Sequence, residues 1–260
     1  MPLLQQYGMM PALLRELVID QAIADSSISP EEETSLYQQF YQQQQLQSET
    51  QLAEWLAERG MVRSQLETLV LRPLKIKRYQ QETWGQKLES YFLQRKAMFD
   101  RVIYSLIRLK DFGIAQELFF QIQDGEVEFS DIARQYSQGV EAETGGLLGP
   151  VELRVPHPTL AKLLLHSQPG QLIPPTRLGE WVIILRMEKF LPAQFDTEMQ
   201  QRLLQELFDT WLEEQVKQAL NHLCQPNSSP ESLPAAISPP MKNNAPDIPE
   251  SPVRPIALAS

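Results

Sequence analysis

The chain has 260 residues, of which 42% are hydrophobic, and a formal net charge of −10. This length allows one large domain or two small domains with buried cores. The acidic balance argues against nucleic acid or an anionic membrane as the main partner, because both bind basic surfaces. The single cysteine, Cys224, excludes an internal disulfide and a thiolate metal cluster, and the three histidines lack metal-site spacing. No metal or other cofactor is therefore expected.

The N-terminal sequence lacks the features of a targeting segment. No basic stretch precedes an apolar run, and residues 3–17 are interrupted by glutamines, Pro11 and charged side chains. The chain also contains no run of about 18 apolar residues, the length that a transmembrane helix requires. These features predict a cytoplasmic protein that does not insert into a membrane.

The first 98 residues predict an all-helical domain. Apolar residues at helical spacing predict a first helix over residues 12–25. Ser29 followed by Pro30 and Glu32 predicts the start of a second helix with a capping box, and Ser48 repeats the signal for a third.

Two further helices are predicted in this domain. Ser64 marks the start of the fourth, which Pro73 is expected to break or kink because proline has no backbone N–H. A longer helix then covers residues 80–98, with aromatic anchors such as Trp84 and Phe92.

The pattern changes at residue 101. Residues 101–109 are short and rich in β-branched and aromatic side chains, which predicts a strand. Helices are predicted over residues 112–124 and 129–137, and a turn over residues 145–149. An edge strand follows at 150–154, because proline is better tolerated at the edge of a sheet than in its centre.

The module closes with a helix over residues 157–167 and a buried strand over 181–185. The predicted order is β-α-α-β-α-β, and a further strand near Leu172 stays open as an alternative. A long amphipathic helix covers residues 196–220, and its wide apolar face needs a partner. That partner is either the N-terminal helical domain or the α+β module. Residues 225–260 are rich in proline and polar residues without periodicity, which predicts disorder.

Four stretches, taken in order, resemble the parvulin-type peptidyl-prolyl isomerases. They are FSDIARQYS at 129–137, GGLLG at 145–149, Pro169-Gly170, and GEWVII at 179–184. In that family a Tyr-Ser pair precedes a GG-x-LG turn, and a helix, a second turn and a strand follow. The resemblance covers about residues 101–190 and implies an α+β isomerase module. The flanking helices are similar to those of SurA-like chaperones, in which such helices form one core that holds client peptides.

These resemblances imply four segments. Residues 1–98 form a SurA-like helical domain and residues 99–192 a parvulin-like domain. Residues 193–222 are a long helix that completes the helical domain, and residues 223–260 are a disordered Pro-rich tail. The implied fold class is α+β, with the C-terminal helix packed on the all-helical domain.

An isomerase of this type needs no covalent chemistry. Rotation about an X-Pro bond has a barrier of about 18–20 kcal/mol, and the unaided step takes on the order of 10–100 s. A site that grips the proline ring and binds the twisted amide better than the planar one lowers this barrier. In the family a histidine pair, a Cys or Asp, and an apolar wall form the site.

At the positions where the family has its polar site residues, the resemblance places other residue types in this chain. The first histidine falls at Tyr104 or Ser105, and the second at Trp181. The Cys or Asp falls at Gly139. Trp181 either lines the pocket or belongs to the core.

The resemblance also assigns the apolar wall of the pocket. The wall falls near Pro156 and at Leu160, and Trp181 adds to its apolar character. His157, beside the wall, either substitutes for a missing histidine or is a surface residue next to a helix start.

The main hypothesis is a folding catalyst that isomerises X-Pro bonds of unfolded or exported polypeptides. Because the histidine pair is missing, the alternative is a catalytically degenerate module that only binds peptides or a partner protein. A third hypothesis is a helical scaffold whose tail recruits a polyproline-reading domain through segments such as Pro239-Pro240-Met241.

Overall fold

The computed structural model describes residues 6–223, which form two compact units. One unit contains residues 6–89 together with 196–223, and the other contains residues 90–195. The second unit is therefore inserted in sequence within the first. The predicted disordered tail lies outside the described residues from residue 224 onward.

The described elements are a block of helices, then a module of strands and helices, then one last helix, as the fold class predicts. In chain order they are α1 (Met10–Ala22), α2 (Pro30–Gln43), α3 (Glu49–Glu58), α4 (Arg63–Trp84), α5 (Leu88–Phe99), β1 (Arg101–Leu109), α6 (Phe112–Gln123), α7 (Phe129–Tyr136), β2 (Leu147–Glu152), α8 (Pro158–Leu165), β3 (Leu172–Leu178), β4 (Trp181–Leu191) and α9 (Thr197–Leu223). The expected α+β module and all-helical unit are both confirmed. Among residues 6–223, no helix is long and apolar enough to cross a bilayer.

The capping box predicted for α2 is confirmed. The Ser29 hydroxyl accepts a hydrogen bond from the Glu32 backbone N–H at 3.3 Å, and the Glu32 carboxylate accepts one from the Ser29 N–H at 2.9 Å. The side chain of Ser48 caps α3 in a similar way. These bonds satisfy backbone donors that have no partner within the first turn of a helix.

Pro73 was predicted to break or kink the fourth helix, and the predicted break is wrong. Helix α4 continues through Pro73 to Trp84, and a short 3₁₀ turn (Gly85–Lys87) separates it from α5. The helix predicted over 80–98 is therefore two elements. Pro73 cannot donate to the Leu69 carbonyl, but both residues are exposed, so water can bond that carbonyl instead.

Helix α9 packs on the N-terminal helices, as predicted for the helical unit. Near its C-terminal end, Ala219 joins Met10 and Leu14 of α1 in one apolar cluster. In its middle, Phe208 and Trp211 meet the aromatic side chains of α4. The ring centre of Tyr79 lies 5.5 Å from that of Trp211. Such aromatic pairs add about 0.5–1.5 kcal/mol each beyond the burial of their area.

A second apolar cluster joins the remaining helices of this unit. Leu52 of α3 and Leu66, Val70 and Leu71 of α4 form its buried centre. The T-shaped contact between Phe40 of α2 and Trp55 of α3, with ring centres 5.3 Å apart, closes its outer side. The N-terminal helices thus have a core of their own, and α9 adds a further one.

The inserted unit contains a four-stranded antiparallel sheet in the order β2-β1-β4-β3. Helices α6 and α7 pack on one face around Phe129 and Ile184. Helix α8 packs on the other face, where Leu160 and Leu164 meet Tyr104 and Leu185. The central position of β1 places its alternate side chains in both cores.

Three strand predictions change in extent. The edge strand β2 begins at Leu147 and ends at Glu152, so it includes part of the expected turn. The open alternative near Leu172 is a real strand, and β4 continues beyond the predicted residues 181–185 to Leu191. Long-range pairing with β1 extends β4, because Arg101 lies opposite Leu191.

Candidate functional site

The turn before β2 requires glycine. Gly145 and Gly146 have φ angles of +64° and +85°, in the region that residues with a Cβ disfavour. A Cβ on Gly146 would also lie 2.9 Å from the Leu106 carbonyl oxygen. The Gly146 carbonyl accepts a hydrogen bond from the Leu106 N–H at 2.9 Å, and the Gly146 N–H donates to the Glu141 carbonyl at 2.7 Å. The turn therefore fixes the preceding loop against the middle of β1.

A buried ion pair connects this loop to β1. The guanidinium of Arg108 donates from Nη2 to Oε2 of Glu141 at 2.7 Å, and from Nε to Oε1 at 3.2 Å. The side chain of Glu141 is 1% exposed and that of Arg108 is 16% exposed. Two hydrogen bonds to one carboxylate fix both the position and the plane of a guanidinium. Arg108 is thus held with one edge on Glu141 and a small part of its surface accessible.

Ser137 forms hydrogen bonds with both members of the ion pair. Its hydroxyl donates to Oε1 of Glu141 at 2.7 Å and accepts a hydrogen bond from the backbone N–H of Arg108 at 3.0 Å. Burial alone would raise the pKa of Glu141, but the hydrogen bonds from Arg108 and Ser137 outweigh it and hold that pKa below its ordinary value. Glu141 is therefore a carboxylate, although it is buried.

The ion pair fills the space beside Gly139. A Cβ on Gly139 would collide with the Glu141 carboxylate and the Arg108 guanidinium. Its φ of −122° is open to any residue, so the need for glycine is one of space. The family resemblance places a Cys or Asp at this position. In this chain the ion pair occupies the volume that such a side chain would enter.

Trp181 lies half-buried at the start of β4, beside two cations. The centre of its ring is 5.2 Å from Nζ of Lys110 and 5.6 Å from Cζ of Arg108. Cations within about 6 Å of an indole are attracted to its face. Trp181 is thus partly exposed, and its ring contacts the Arg108 member of the ion pair.

Tyr104 belongs to the same apolar cluster as Leu160, where both are buried. Burial raises the pKa of the Tyr104 hydroxyl, the charge of Glu141 raises it further, and Arg108 opposes this. Strand alternation places Tyr104 and Arg108 on one face of β1. The structure therefore brings Tyr104, Leu160 and Arg108 to the same face of the sheet.

Ser105, the other candidate for the first histidine position, points away from this group. Its hydroxyl donates to Oε1 of Glu188 at 2.5 Å, and Glu188 also accepts from Nε of Arg186 at 2.7 Å. Arg186 lies over the ring of Phe129, which belongs to the core beneath α6 and α7. Ser105 is thus separated from Leu160 by the thickness of the sheet.

Pro156 and His157 lie in the bend before α8. Pro156 is half-buried and His157 is exposed. Nδ1 of His157 accepts a hydrogen bond from the Thr159 N–H at 3.2 Å, so the ring caps α8. This ring has a structural task at the start of a helix, and Leu160 one turn later is buried.

The sequence interpretation did not name Arg108 and Glu141 as site residues. One signal was present, because Arg108 is a charged residue inside the otherwise apolar segment of β1. A charged residue in a buried strand needs a partner of opposite charge. The described residues, 6–223, contain no cluster of three or more His, Cys, Asp or Glu side chains that could hold a metal ion.

Comparison with known proteins gives the class of the inserted unit. Residues 113–189 match the family model of the PPIC-type PPIase domain, also called rotamase. The chain is 31% identical over 127 residues to chaperone SurA of Shewanella oneidensis and of Shewanella sp. MR-7. These matches cover 45% of this chain and 29% of SurA, so the chain spans less than a third of these curated relatives.

One solved structure agrees at the level of the fold. The peptidylprolyl isomerase PrsA of Bacillus cereus matches with a TM-score of 0.51 and 17% identity, over 88% of each chain. PrsA of Bacillus anthracis matches with a TM-score of 0.45 and 16% identity, over 80% of this chain and 97% of PrsA.

The inserted unit is thus a parvulin-type domain. It is carried by a chain that is similar to SurA and shares its fold with PrsA. The resemblance noted in the sequence is confirmed.

Proposed function

We propose that the chain is a folding helper that isomerises X-Pro bonds in polypeptide clients. The match of residues 113–189 to the PPIC-type PPIase domain carries this proposal. The half-buried indole of Trp181 and the buried side chain of Leu160 are apolar groups suited to a proline ring. Both come from positions where the family resemblance puts the pocket.

The proposed chemistry is binding alone. The planar amide is stabilised by resonance, and rotation about the C–N bond breaks that resonance at a cost of about 18–20 kcal/mol. A site that binds the twisted amide more tightly than the planar amide lowers the barrier by the difference. In this role Leu160 and Trp181 hold the proline ring while the preceding carbonyl rotates.

The helical unit is proposed to hold the client during this step. The chain is similar in sequence to a protein named chaperone SurA and in fold to PrsA, and these similarities support this role. A holding function needs no isomerase site, so it should survive loss of the pocket. A Trp181→Ala chain should therefore still suppress the aggregation of a denatured, proline-free client. Loss of suppression in this variant would argue against separate roles for the two units.

The isomerase role is tested by exchange NMR on Ala-Pro and Leu-Pro peptides, with the wild-type chain and the Trp181→Ala and Leu160→Ala variants. Acceleration by the wild type that falls in both variants is the expected result. Leu160 is buried, and truncating a buried leucine costs about 2–5 kcal/mol of stability. A thermal melt of each variant must therefore confirm that it is folded at the assay temperature.

A second candidate function is a degenerate module that binds peptides without isomerising them. The family resemblance favours it, because it places Tyr104 or Ser105 and Trp181 at the histidine positions and Gly139 at the Cys or Asp position. In that case calorimetry would detect binding of the same peptides, while exchange NMR would show the uncatalysed rate.

The scaffold hypothesis concerns the Pro-rich tail, which lies outside the described residues. It predicts that a chain ending at residue 223 loses a partner that reads polyproline segments. Pull-down of a polyproline-binding domain by the full chain and by the shortened chain tests this role. Equal recovery by both would remove it.

A further inference from the structure

We propose that Arg108 donates a hydrogen bond to the prolyl nitrogen of the client in the twisted transition state. This inference rests on the proposed isomerase function and names the polar group of that site. The family's histidine pair and its Cys or Asp are replaced here by Tyr104 or Ser105, Trp181 and Gly139. Arg108 and Glu141 occupy the space that opens at Gly139.

The guanidinium has donors to spare. It uses Nε and one N–H of Nη2 on Glu141. A guanidinium carries five N–H donors, and within residues 6–223 the hydrogen bonds and the ion pair of the Arg108 guanidinium go to the Glu141 side chain. The Nη1 edge is therefore available to an incoming acceptor. The side chain of Arg108 is 16% exposed, so part of it is accessible to a client.

A hydrogen-bond donor stabilises the transition state most when it binds the prolyl nitrogen. In the planar amide its lone pair is delocalised into the carbonyl and accepts poorly. In the twisted amide the lone pair is localised, so the nitrogen becomes a good acceptor while the carbonyl oxygen becomes a weaker one. A donor aimed at the nitrogen therefore binds the transition state better than the ground state, which is the condition for catalysis. No covalent bond forms and no proton needs to be transferred.

Glu141 acts as a positioning residue for this donor. Its two hydrogen bonds fix the plane of the guanidinium, and Ser137 fixes Glu141 in turn. A donor that is already oriented needs no rearrangement when the reaction occurs. The carboxylate also keeps the local charge balanced, so a buried cation does not have to be stabilised by the client.

Trp181 lies where the proline ring would stack, 5.6 Å from Cζ of Arg108. A proline ring held beside this indole would therefore lie next to the guanidinium, which is the arrangement that the inference requires. Lys110 also lies near Trp181, at 5.2 Å, but it is exposed. A hydrated ammonium on a flexible chain is a poorer fixed donor than a planar, paired guanidinium. The geometry therefore favours Arg108 over Lys110 as the catalytic donor.

The test compares three variants of the full chain. Arg108→Lys keeps the charge and removes the planar fork. The double variant Arg108→Gln with Glu141→Gln removes both charges together, so no unpaired charge is buried. Arg177→Lys is the matched control, because Arg177 lies 5.7 Å from the ring of Phe112 in the same unit and is exposed. Exchange NMR on a Leu-Pro peptide gives kcat and KM, and calorimetry gives the peptide Kd.

The expected result is a fall in kcat of about 10- to 100-fold in the double variant, which loses the charged donor. The kcat of Arg108→Lys should also fall, because its flexible ammonium lacks the planar fork that Glu141 orients. The peptide Kd and the melting temperature of the double variant should change little, and Arg177→Lys should match the wild type. A double variant that is folded and retains wild-type kcat would overturn the role of Arg108 alone. A rise in Kd with unchanged kcat would also overturn it, because Arg108 would then act in ground-state binding.

The wild-type chain separates this inference from the function on which it rests. If the wild type binds the peptide without accelerating isomerisation, both the isomerase function and the role of Arg108 are wrong. If the wild type accelerates isomerisation and the Arg108 variants have the same kcat as the wild type, the isomerase function stands and the role of Arg108 is wrong.

Discussion

The Glu141 carboxylate accepts two hydrogen bonds from the Arg108 guanidinium, at 2.7 and 3.2 Å, although the two residues are 33 positions apart in sequence. This contact ties the loop after α7 to the central strand of the parvulin-type domain. It also fills the space beside Gly139. The polar centre of the candidate site is therefore an ion pair, and its stability and its chemistry depend on both members.

Removing one member of the pair should be more harmful than removing both. Arg108→Met leaves Glu141 as a buried charge without its cationic partner, and such a change costs about 3–5 kcal/mol of stability. Arg108→Met combined with Glu141→Leu leaves no buried charge and should cost less. Urea unfolding of the single and double variants gives the comparison. Equal stability of the two variants would contradict a strongly desolvated pair.

The pair should also make the stability depend on acid. The pKa of Glu141 is held below its ordinary value of 4.5 in the folded chain. Its contribution is therefore fully present above pH 4.5 and is lost as the pH falls through the lower, folded-state pKa. Glu141→Gln cannot titrate, so the free energy of unfolding should fall less steeply below pH 4.5 in this variant than in the wild type. Parallel curves for both proteins would disprove the coupling.

A methyl group at residue 139 should strain the site. Gly139→Ala places a Cβ against the Arg108 and Glu141 side chains, and overpacking of this kind costs about 1–3 kcal/mol. In a background with Arg108→Ala and Glu141→Ala, the space is open and the same methyl should cost little. The difference between the two costs, from a double-mutant cycle of urea unfolding, measures the collision. The same cost in both backgrounds would mean that the pair does not occupy this space.

The helical unit should depend on the aromatic contacts of α9. Trp211 is 5% exposed and touches Tyr79 and Phe208, so Trp211→Ala should cost about 3–5 kcal/mol. Leu69→Ala on the exposed side of α4 is the control and should cost far less. Thermal unfolding followed by far-UV circular dichroism compares the two. If both variants melt like the wild type, α9 does not stabilise this unit.

Much of the fold could be predicted because its signals are local. Ser29 and Ser48 caps fix helix starts within a few residues, and the composition of residues 101–109 identifies a strand directly. The helix continues through Pro73 because of packing that the local sequence does not show. The Leu69 carbonyl, which proline leaves without a backbone donor, lies on the exposed side of α4, and the buried side of the helix stays packed before and after the proline.

The ion pair could not be predicted in the same way. Glu141 lies two residues after Gly139 in a mostly polar segment, where a charged residue is usually exposed. Glu141 reaches β1 only because the chain turns back at Gly145-Gly146, where Gly146 bonds both Leu106 of β1 and the Glu141 carbonyl. The choice between Tyr104 and Ser105 also depended on which face of β1 carries α8, because neighbouring strand residues point to opposite faces. The family resemblance predicts the region of the candidate site, but it does not predict the Arg108–Glu141 ion pair that the structure shows there.

Exchange NMR on a Leu-Pro peptide, with the wild-type chain and the Arg108→Gln/Glu141→Gln double variant, tests both the isomerase function and the role of the ion pair. We expect acceleration by the wild type and a fall in kcat of about 10- to 100-fold in a folded double variant that still binds the peptide. Equal acceleration by both proteins would contradict the role of the ion pair. No acceleration by the wild type would contradict the isomerase function itself.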